Sequence, residues 1–168
     1  HKIKNFKLIK NDFNKYLNIN DKFSIYAWNV LSDVLYYVLN IAEEISIDIF
    51  AIDEAMKNGF GWRFGPFEII DKIGTSLLKD KFIKSKKNIP TLLSYIDSNK
   101  FYKIDENKIK FFDFKTKKHK ILNRPKGVLL LSDIKKISKP IIQSNSSSLW
   151  HIGDKVTVFE IHSKSNTI

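Results

Sequence analysis

The feature that most limits what this chain can become is the stretch Gly59-Phe60-Gly61-Trp62-Arg63-Phe64-Gly65-Pro66-Phe67, where glycines that open the backbone to unusual dihedrals alternate with bulky rings. A loop of that composition is packed, and the residues on either side make it a joint between helices. Before it, Ser46 can cap a helix with Asp48 in the first turn, facing the positive end of the macrodipole. Ile49, Ile52, Ala55 and Met56 form the inward face, and Gly59 stands where a left-handed C-terminal cap belongs. After the loop, Pro66 suits the first position of a new helix with Ile69, Ile70 and Ile73 inward, and Gly74 stops it.

Upstream, Phe23, Tyr26, Ala27, Val30, Leu31, Val34, Leu35, Val38 and Ile41 recur at three- and four-residue steps. They predict a long amphipathic helix, capped by Asn20 or Asp21, running to about Glu44 and buried along this stripe. Downstream, Ser76 begins a short helix through Leu77, Leu78 and Phe82, and Pro90 opens another through Leu92, Leu93 and Ile96. Past residue 99 the period changes to that of strands, with a β-meander over residues 101–104, 109–114 and 120–122. Residues 128–131 read as a further strand, Ser132-Asp133 as a helix start and residues 143–148 as a serine-rich linker. Residues 149–152 and 156–161 flank Gly153-Asp154 as a hairpin, a pair of strands only marginally stable by itself. The expected fold class is α+β, a mainly α-helical domain followed by a small antiparallel β region.

The formal charge of +11 comes almost wholly from lysine, since only Arg63 and Arg124 are arginines. Bidentate readout of phosphates and bases favours arginine, so the charge reads first as a solvated surface. The alternative is a basic nucleic-acid-binding module, motivated by lysines interleaved with Phe and Tyr between Lys100 and Lys120. Cysteine is absent, which removes disulfides, thiolate metal sites and Cys nucleophiles. His1, His119, His151 and His162 lie at no zinc-binding spacing, so no metal is expected. No stretch approaches the roughly 20 apolar residues that span a bilayer, and the lysine-broken start is no signal peptide, so a soluble, cytoplasmic chain is expected.

Gly59-Phe60-Gly61 invites comparison with dinucleotide-binding loops, but those follow a strand and open a helix, whereas a helix precedes this one. The neighbours Asp53 and Glu54 point about 100° apart on a helix and cannot share a site, as is true of Glu43 and Glu44. Asp53, nearer the apolar face, is expected to accept hydrogen bonds from amides of the glycine loop, a structural role set against general-base catalysis. His162 and Ser163 lack an assignable acid, so no triad is supported. Trp28, Tyr36 and Tyr37 read as core or interface.

The run Ile52-Asp53-Glu54-Ala55-Met56-Lys57-Asn58-Gly59-Phe60-Gly61-Trp62, continuing through Gly65-Pro66-Phe67-Glu68 and Asp71-Lys72-Ile73-Gly74, resembles the C-terminal helical domain of 3-hydroxyacyl-CoA dehydrogenases. The family pattern there is an I-D-x-A-M helix, a G-x-G turn, G-P-F and D-x-x-G, and with the preceding helix the likeness covers residues 21–85. It singles out Asp53, Gly59, Gly61, Gly65, Pro66, Asp71 and Gly74 as structural residues. The tail, with Ser148-Leu149-Trp150, Gly153-Asp154-Lys155-Val156, Phe159-Glu160 and His162-Ser163-Lys164-Ser165-Asn166, resembles the opening strands of an enoyl-CoA hydratase (crotonase) domain. This order is similar to that of bifunctional fusions in which the helical domain occurs twice and the second copy precedes the hydratase.

The resemblance implies a parent that oxidises (S)-3-hydroxyacyl-CoA to 3-ketoacyl-CoA with NAD and hydrates trans-2-enoyl-CoA, in fatty-acid β-oxidation. In the family the NAD site and the catalytic His and Glu lie in an upstream Rossmann domain, and an Asn-Arg pair at the start of the first helical copy helps bind substrate. Trp28-Asn29-Val30 lacks that Arg and falls inside a helix. The fragment alone is therefore expected to be inactive and without a cofactor of its own. Its implied partners are the Rossmann and hydratase domains of the same chain, acyl-CoA in the parent, and a homodimer through the helical domain. Lys164 falls near a family position that approaches the CoA nucleotide and is the substrate-binding candidate, a solvated lysine being the alternative. The expected organisation is a linker or domain end at 1–20, the helical domain at 21–99, a β-rich connector at 100–145 and the start of a hydratase-like domain at 146–168. Both ends of the sequence read as cuts.

Overall fold

The computed structural model describes residues 21–96 and 100–162. Its helices are α1 (Lys22–Ile45), α2 (Ile49–Phe60), α3 (Pro66–Ile73), α4 (Thr75–Lys84), α5 (Thr91–Ser94) and α6 (Leu131–Ile137). Its strands are β1 (Tyr102–Asp105), β2 (Lys108–Asp113), β3 (Lys118–Ile121), β4 (Ile142–Gln143), β5 (Ser147–Gly153) and β6 (Val156–Ile161). Among the described residues this is an α+β fold, mainly helical in its first part, with two three-stranded sheets ordered β1-β2-β3 and β4-β5-β6. No described helix is long and apolar enough to cross a membrane.

Asp21 caps α1 by accepting from the amides of Phe23 and Ser24 at 2.9 and 2.7 Å. The buried face differs from the stripe expected from periodicity. It runs through Ser24, Trp28, Ser32, Leu35, Val38, Leu39 and Ala42, while Phe23, Tyr26, Val30 and Tyr37 point outward. The helix is apolar around most of its circumference, so local spacing could not tell which side meets the rest of the domain. Asn29 lies well inside α1.

Ser46 does not cap the second helix. Its amide closes α1 on the Ala42 carbonyl and its hydroxyl donates to the Asp48 carbonyl, while Asp48 takes the cap position and accepts from the Ala51 amide at 2.8 Å. The Asp48 backbone is pinned by an antiparallel bridge to Asp113. The inward face of α2 is Ile49, Ile52 and Asp53, with Ala55 exposed. The helix also runs two residues past the expected stop: Gly59 and Phe60 are helical, and Gly61, at φ +66°, makes the left-handed cap. Gly74, at φ +91°, is both the C-terminal cap of α3 and the residue before α4, so α4 starts at Thr75 and not at Ser76.

The chain forms two compact units, one reaching to Lys103 and including Phe111–Lys120, the other made of Ile104–Lys110 and the chain from Ile121. The core of the first is aromatic. Phe67 meets Phe101 edge-on with ring centroids 4.8 Å apart, Phe101 meets Phe112 at 6.1 Å, and Tyr36 lies edge-on to Phe82 at 5.3 Å. Phe101 and Phe112 belong to the expected meander, so that segment supplies core to the helices. Asp71 ties the two together by accepting from the amides of Phe101 and Tyr102.

In the second unit two expectations are corrected. Residues 128–131 form no strand: the Val128 amide turns back to the Pro125 carbonyl, and Leu131 is the first residue of α6. A run of four apolar residues carries no period, so strand and helix start look alike. Nor is the serine-rich stretch a loose linker. Gln143 ends β4, Ser147 begins β5, and the Ser144 hydroxyl accepts from the amides of Ser146 and Ser147, making a tight turn. The expected hairpin thus gains a third strand, with Ile142 opposite Leu149 and Leu149 opposite Phe159, both pairings antiparallel.

Candidate functional site

The densest polar chemistry in the helical unit converges on Asp53, fully buried in the middle of α2. Its Oδ1 accepts from the Phe67 amide at 2.9 Å, and its Oδ2 accepts from the Glu68 amide at 3.1 Å and from the Tyr102 hydroxyl at 2.9 Å. These two amides belong to the first turn of α3, where backbone donors have no partner within the helix and the macrodipole is positive. A helix N-terminus of this kind is a ready anion site. Here α2 supplies the anion from within the protein. The expectation for Asp53 named amides of the glycine loop, and the donors are those of the helix that follows it.

Gly65 is what lets the two helices come this close. A Cβ at that position would stand 2.3 Å from the Cβ of Asp53, although the Gly65 backbone itself is ordinary and extended. Pro66 then opens α3 at the position where a missing amide costs nothing. Glu68 reaches back to the Gly65 amide at 3.1 Å and, through its other oxygen, to Lys57 at 3.4 Å, and Lys57 also meets Glu54 at 2.6 Å. Asp71, one turn on, receives the Phe101 amide at 2.7 Å and the Tyr102 amide at 2.8 Å. Two carboxylates therefore hold Tyr102 from opposite ends, one by its hydroxyl and one by its backbone. The result is a clasp joining α2, α3 and the entry to β1.

The electrostatics follow from burial. Loss of solvent pushes the Asp53 carboxyl up to about 7, against the pull of the Phe67 amide and the Tyr102 hydroxyl. Burial likewise raises Asp71 to about 6, opposed by the Tyr102 and Phe101 amides. Burial, and then the charge of Asp53, hold the Tyr102 hydroxyl protonated far above its ordinary range, which keeps it a donor. A carboxyl near 7 could serve as a general base, but each oxygen of Asp53 already accepts from the protein. The arrangement holds helices together.

The glycine loop does not fit a dinucleotide. The amides of Gly61 and Trp62 both turn back onto the Met56 carbonyl, closing α2, so they are not aimed at a phosphate. The amides of α3 are taken by Asp53. Gly59 has nothing within 4 Å of where a Cβ would stand and is held by no close contact. Phe64 is instead covered by cations, with Lys72 at 4.3 Å and Arg63 at 5.3 Å from its ring centre.

Elsewhere, no group of three or more His, Asp or Glu among the described residues could hold a metal ion. His162 is exposed just after β6, and Lys164 lies outside the described residues. The aromatic residues that suggested nucleic-acid stacking are spent on the core: Phe101, Phe111, Phe112 and Phe114 are all buried. Three of the interleaved lysines are paired, Lys110 with Asp105, Lys117 with Glu43 and Lys120 with Asp113. Sequence reasoning missed Tyr102 and Glu68. Tyr102 sits 49 positions from Asp53, beyond any local pattern. The signal for Glu68 was available, since an acid three residues after a helix cap commonly reaches back to it.

Comparison with known proteins matches residues 27–99 to the family described as 3-hydroxyacyl-CoA dehydrogenase, C-terminal domain. A Bacillus subtilis (strain 168) protein named as a 3-hydroxyacyl-CoA dehydrogenase is 33% identical over 151 residues, covering 89% of this chain and 19% of that protein. A Rickettsia prowazekii (strain Madrid E) protein named as a fatty acid oxidation complex trifunctional enzyme is 27% identical over 173 residues, covering 100% and 21%. Its namesake from Rickettsia felis (strain ATCC VR-1525 / URRWXCal2) is 31% identical over 84 residues, covering 47% and 11%. The chain thus spans about a fifth of the length of the first two relatives. No solved structure matches. The segment 27–99, which contains Asp53, Gly65 and Asp71, is a match to the C-terminal domain of the 3-hydroxyacyl-CoA dehydrogenase family.

Proposed function

We propose that this chain is a non-catalytic scaffold within a fatty-acid β-oxidation enzyme whose whole polypeptide oxidises (S)-3-hydroxyacyl-CoA to 3-ketoacyl-CoA with NAD and hydrates trans-2-enoyl-CoA. One observation carries the reading. Within the matched segment the buried Asp53 and the half-buried Asp71 serve as acceptors for the backbone of α3 and β1, and the glycine loop closes its own helix. That is the chemistry of a brace. NAD and the proton-transfer groups belong, on this reading, to a Rossmann domain elsewhere in the same polypeptide. The outward apolar residues of α1, Phe23, Tyr26, Val30 and Tyr37, offer a face for that domain or for a second helical copy. The β5–β6 hairpin, carrying Gly153-Asp154-Lys155-Val156 and Phe159-Glu160, supports the reading of a hydratase domain beginning in the tail.

The purified chain mixed with NAD and a short 3-hydroxyacyl-CoA should give no increase in NADH absorbance. Measurable turnover overturns the non-catalytic assignment. In the whole enzyme, Gly65→Ala should lower dehydrogenase turnover by loosening the clasp, and unchanged turnover would separate the clasp from the activity.

A further inference from the structure

The second unit contains an open groove of about 280 Å³. Ile109, Ile121 and Leu122 form one wall, Leu130, Ile134 and Ile137 the other. The walls are fixed in place. The Arg124 guanidinium forks onto both oxygens of Asp133 in α6, at 2.8 and 3.2 Å, tying the end of β3 to the helix opposite. The Leu122 amide donates to the Ile109 carbonyl at 2.8 Å, carrying the strand ladder along the floor. Between the walls, Gly127 at φ +83° allows the turn that brings Val128 back to Pro125.

The lining is mainly aliphatic, with Asn107, Lys108, Asn123 and the Arg124–Asp133 pair among it, and it is open to solvent. None of the residues of α6 is buried, and Val128, Leu129 and Leu130 are 46%, 51% and 37% exposed. Apolar surface left in water forgoes about 25 cal/mol per Å² that an apolar occupant would recover. No aromatic ring is among the lining residues, so a planar ligand would find nothing to stack on, whereas a flexible saturated chain meets branched methyl groups along both walls. At about 30 Å³ for each water displaced, the groove has room for roughly nine, the bulk of a chain of medium length. Lys108 and Asn123 contribute an ammonium and an amide at the same surface, which suits an anionic carrier on the chain.

We propose that this groove binds the hydrocarbon tail of a medium-chain acyl-CoA, with Lys108 facing the anionic CoA. The inference rests on the reading of the parent as an acyl-CoA enzyme and adds a tail site to a part of the chain outside the matched helical segment. Calorimetric titration of the 168-residue chain with octanoyl-CoA and with CoA alone tests it. Octanoyl-CoA should bind about tenfold or more tighter than CoA, the equivalent of about 1.4 kcal/mol. Ile134→Glu should bring octanoyl-CoA down to the level of CoA, Leu130→Trp should do the same by filling the groove without a charge, and Lys108→Glu should weaken both ligands. An unchanged thermal melt of each variant shows that the fold survives. Equal affinity for the two ligands overturns the proposal, as does tail-dependent binding that both groove variants leave intact. Such a failure removes the tail site alone. NAD reduction by the isolated chain removes the scaffold reading alone, so the two fail independently.

Discussion

In the unit that contains α1–α5, Phe67, Phe82, Phe101 and Phe112 are buried almost completely, and the carboxylates of buried Asp53 and half-buried Asp71 hold the backbone around them. In the unit that contains α6 and β4–β6, the helix buries none of its residues, and Ile142 and Phe159 stand largely in solvent on the sheet. Composition does not separate the two, since both are rich in lysine and aliphatic residues. The separation comes from range. The first unit closes through contacts made over tens of residues, such as Asp71 to Phe101 and Asp53 to Tyr102. In the second, most bonds join near neighbours in a hairpin or across one turn, Lys135 to Glu160 being a longer tie, and only Ile109, Ser148 and Trp150 are buried among its described residues. A chain region can therefore be fully paired locally and still bury little of its apolar surface.

The sharpest way to break this comparison is to end the chain at residue 99. That removes Phe101, Phe111, Phe112 and Phe114, and each buried Phe is worth roughly 3–5 kcal/mol on truncation to Ala. The sum, roughly 12–20 kcal/mol, matches or exceeds the roughly 5–15 kcal/mol by which domains are stable, so no cooperative melt should remain. A melt like that of the full chain would show that the helices close without the meander.

Asp53→Ala should cost about 3–5 kcal/mol, read from chemical denaturation, because it leaves two amides and a hydroxyl buried without an acceptor. The pH dependence has a definite sign. The folded-state carboxyls of Asp53 and Asp71, at about 7 and about 6, lie above the ordinary value of 3.8, so the folded chain holds protons that the unfolded chain releases. Their contribution is full below the unfolded value and is lost as pH rises through the folded values. Stability should fall between pH ~4 and ~7, and Asp53→Asn should flatten that slope. Asp113, drawn down to about 2 first by Lys120 and then by Thr116, acts in the opposite sense and only under strong acid.

Gly65→Ala should cost about 1–3 kcal/mol, because its new methyl group must displace the Asp53 side chain. Gly59→Ala should do the reverse by a smaller amount, stabilising by about 0.5–1 kcal/mol, since the position is helical with open space around it. Equal effects at the two glycines would mean that close approach to Asp53 is not what Gly65 provides.

Much of the local plan was legible in the sequence. Pro66 and Gly74 bound a helix because one lacks an amide that the first turn does not need and the other takes a left-handed backbone at no steric cost. The period-two segments after residue 99 became β1, β2 and β3 with small shifts at their ends. Asp53 was recognisable as an inward acid that had to find amide partners. What only the tertiary structure decided was which partners, and which faces. α1 carries apolar residues on two sides, and it is the position of the neighbouring helices that buries Trp28 and Leu35 and leaves Phe23 and Tyr26 outside. Tyr102 joined the clasp from far along the chain because chain folding brought its hydroxyl within 2.9 Å of a carboxylate. Local dihedral preferences and periodicity are written residue by residue, whereas the pairing of surfaces depends on every other surface in the domain competing for the same burial.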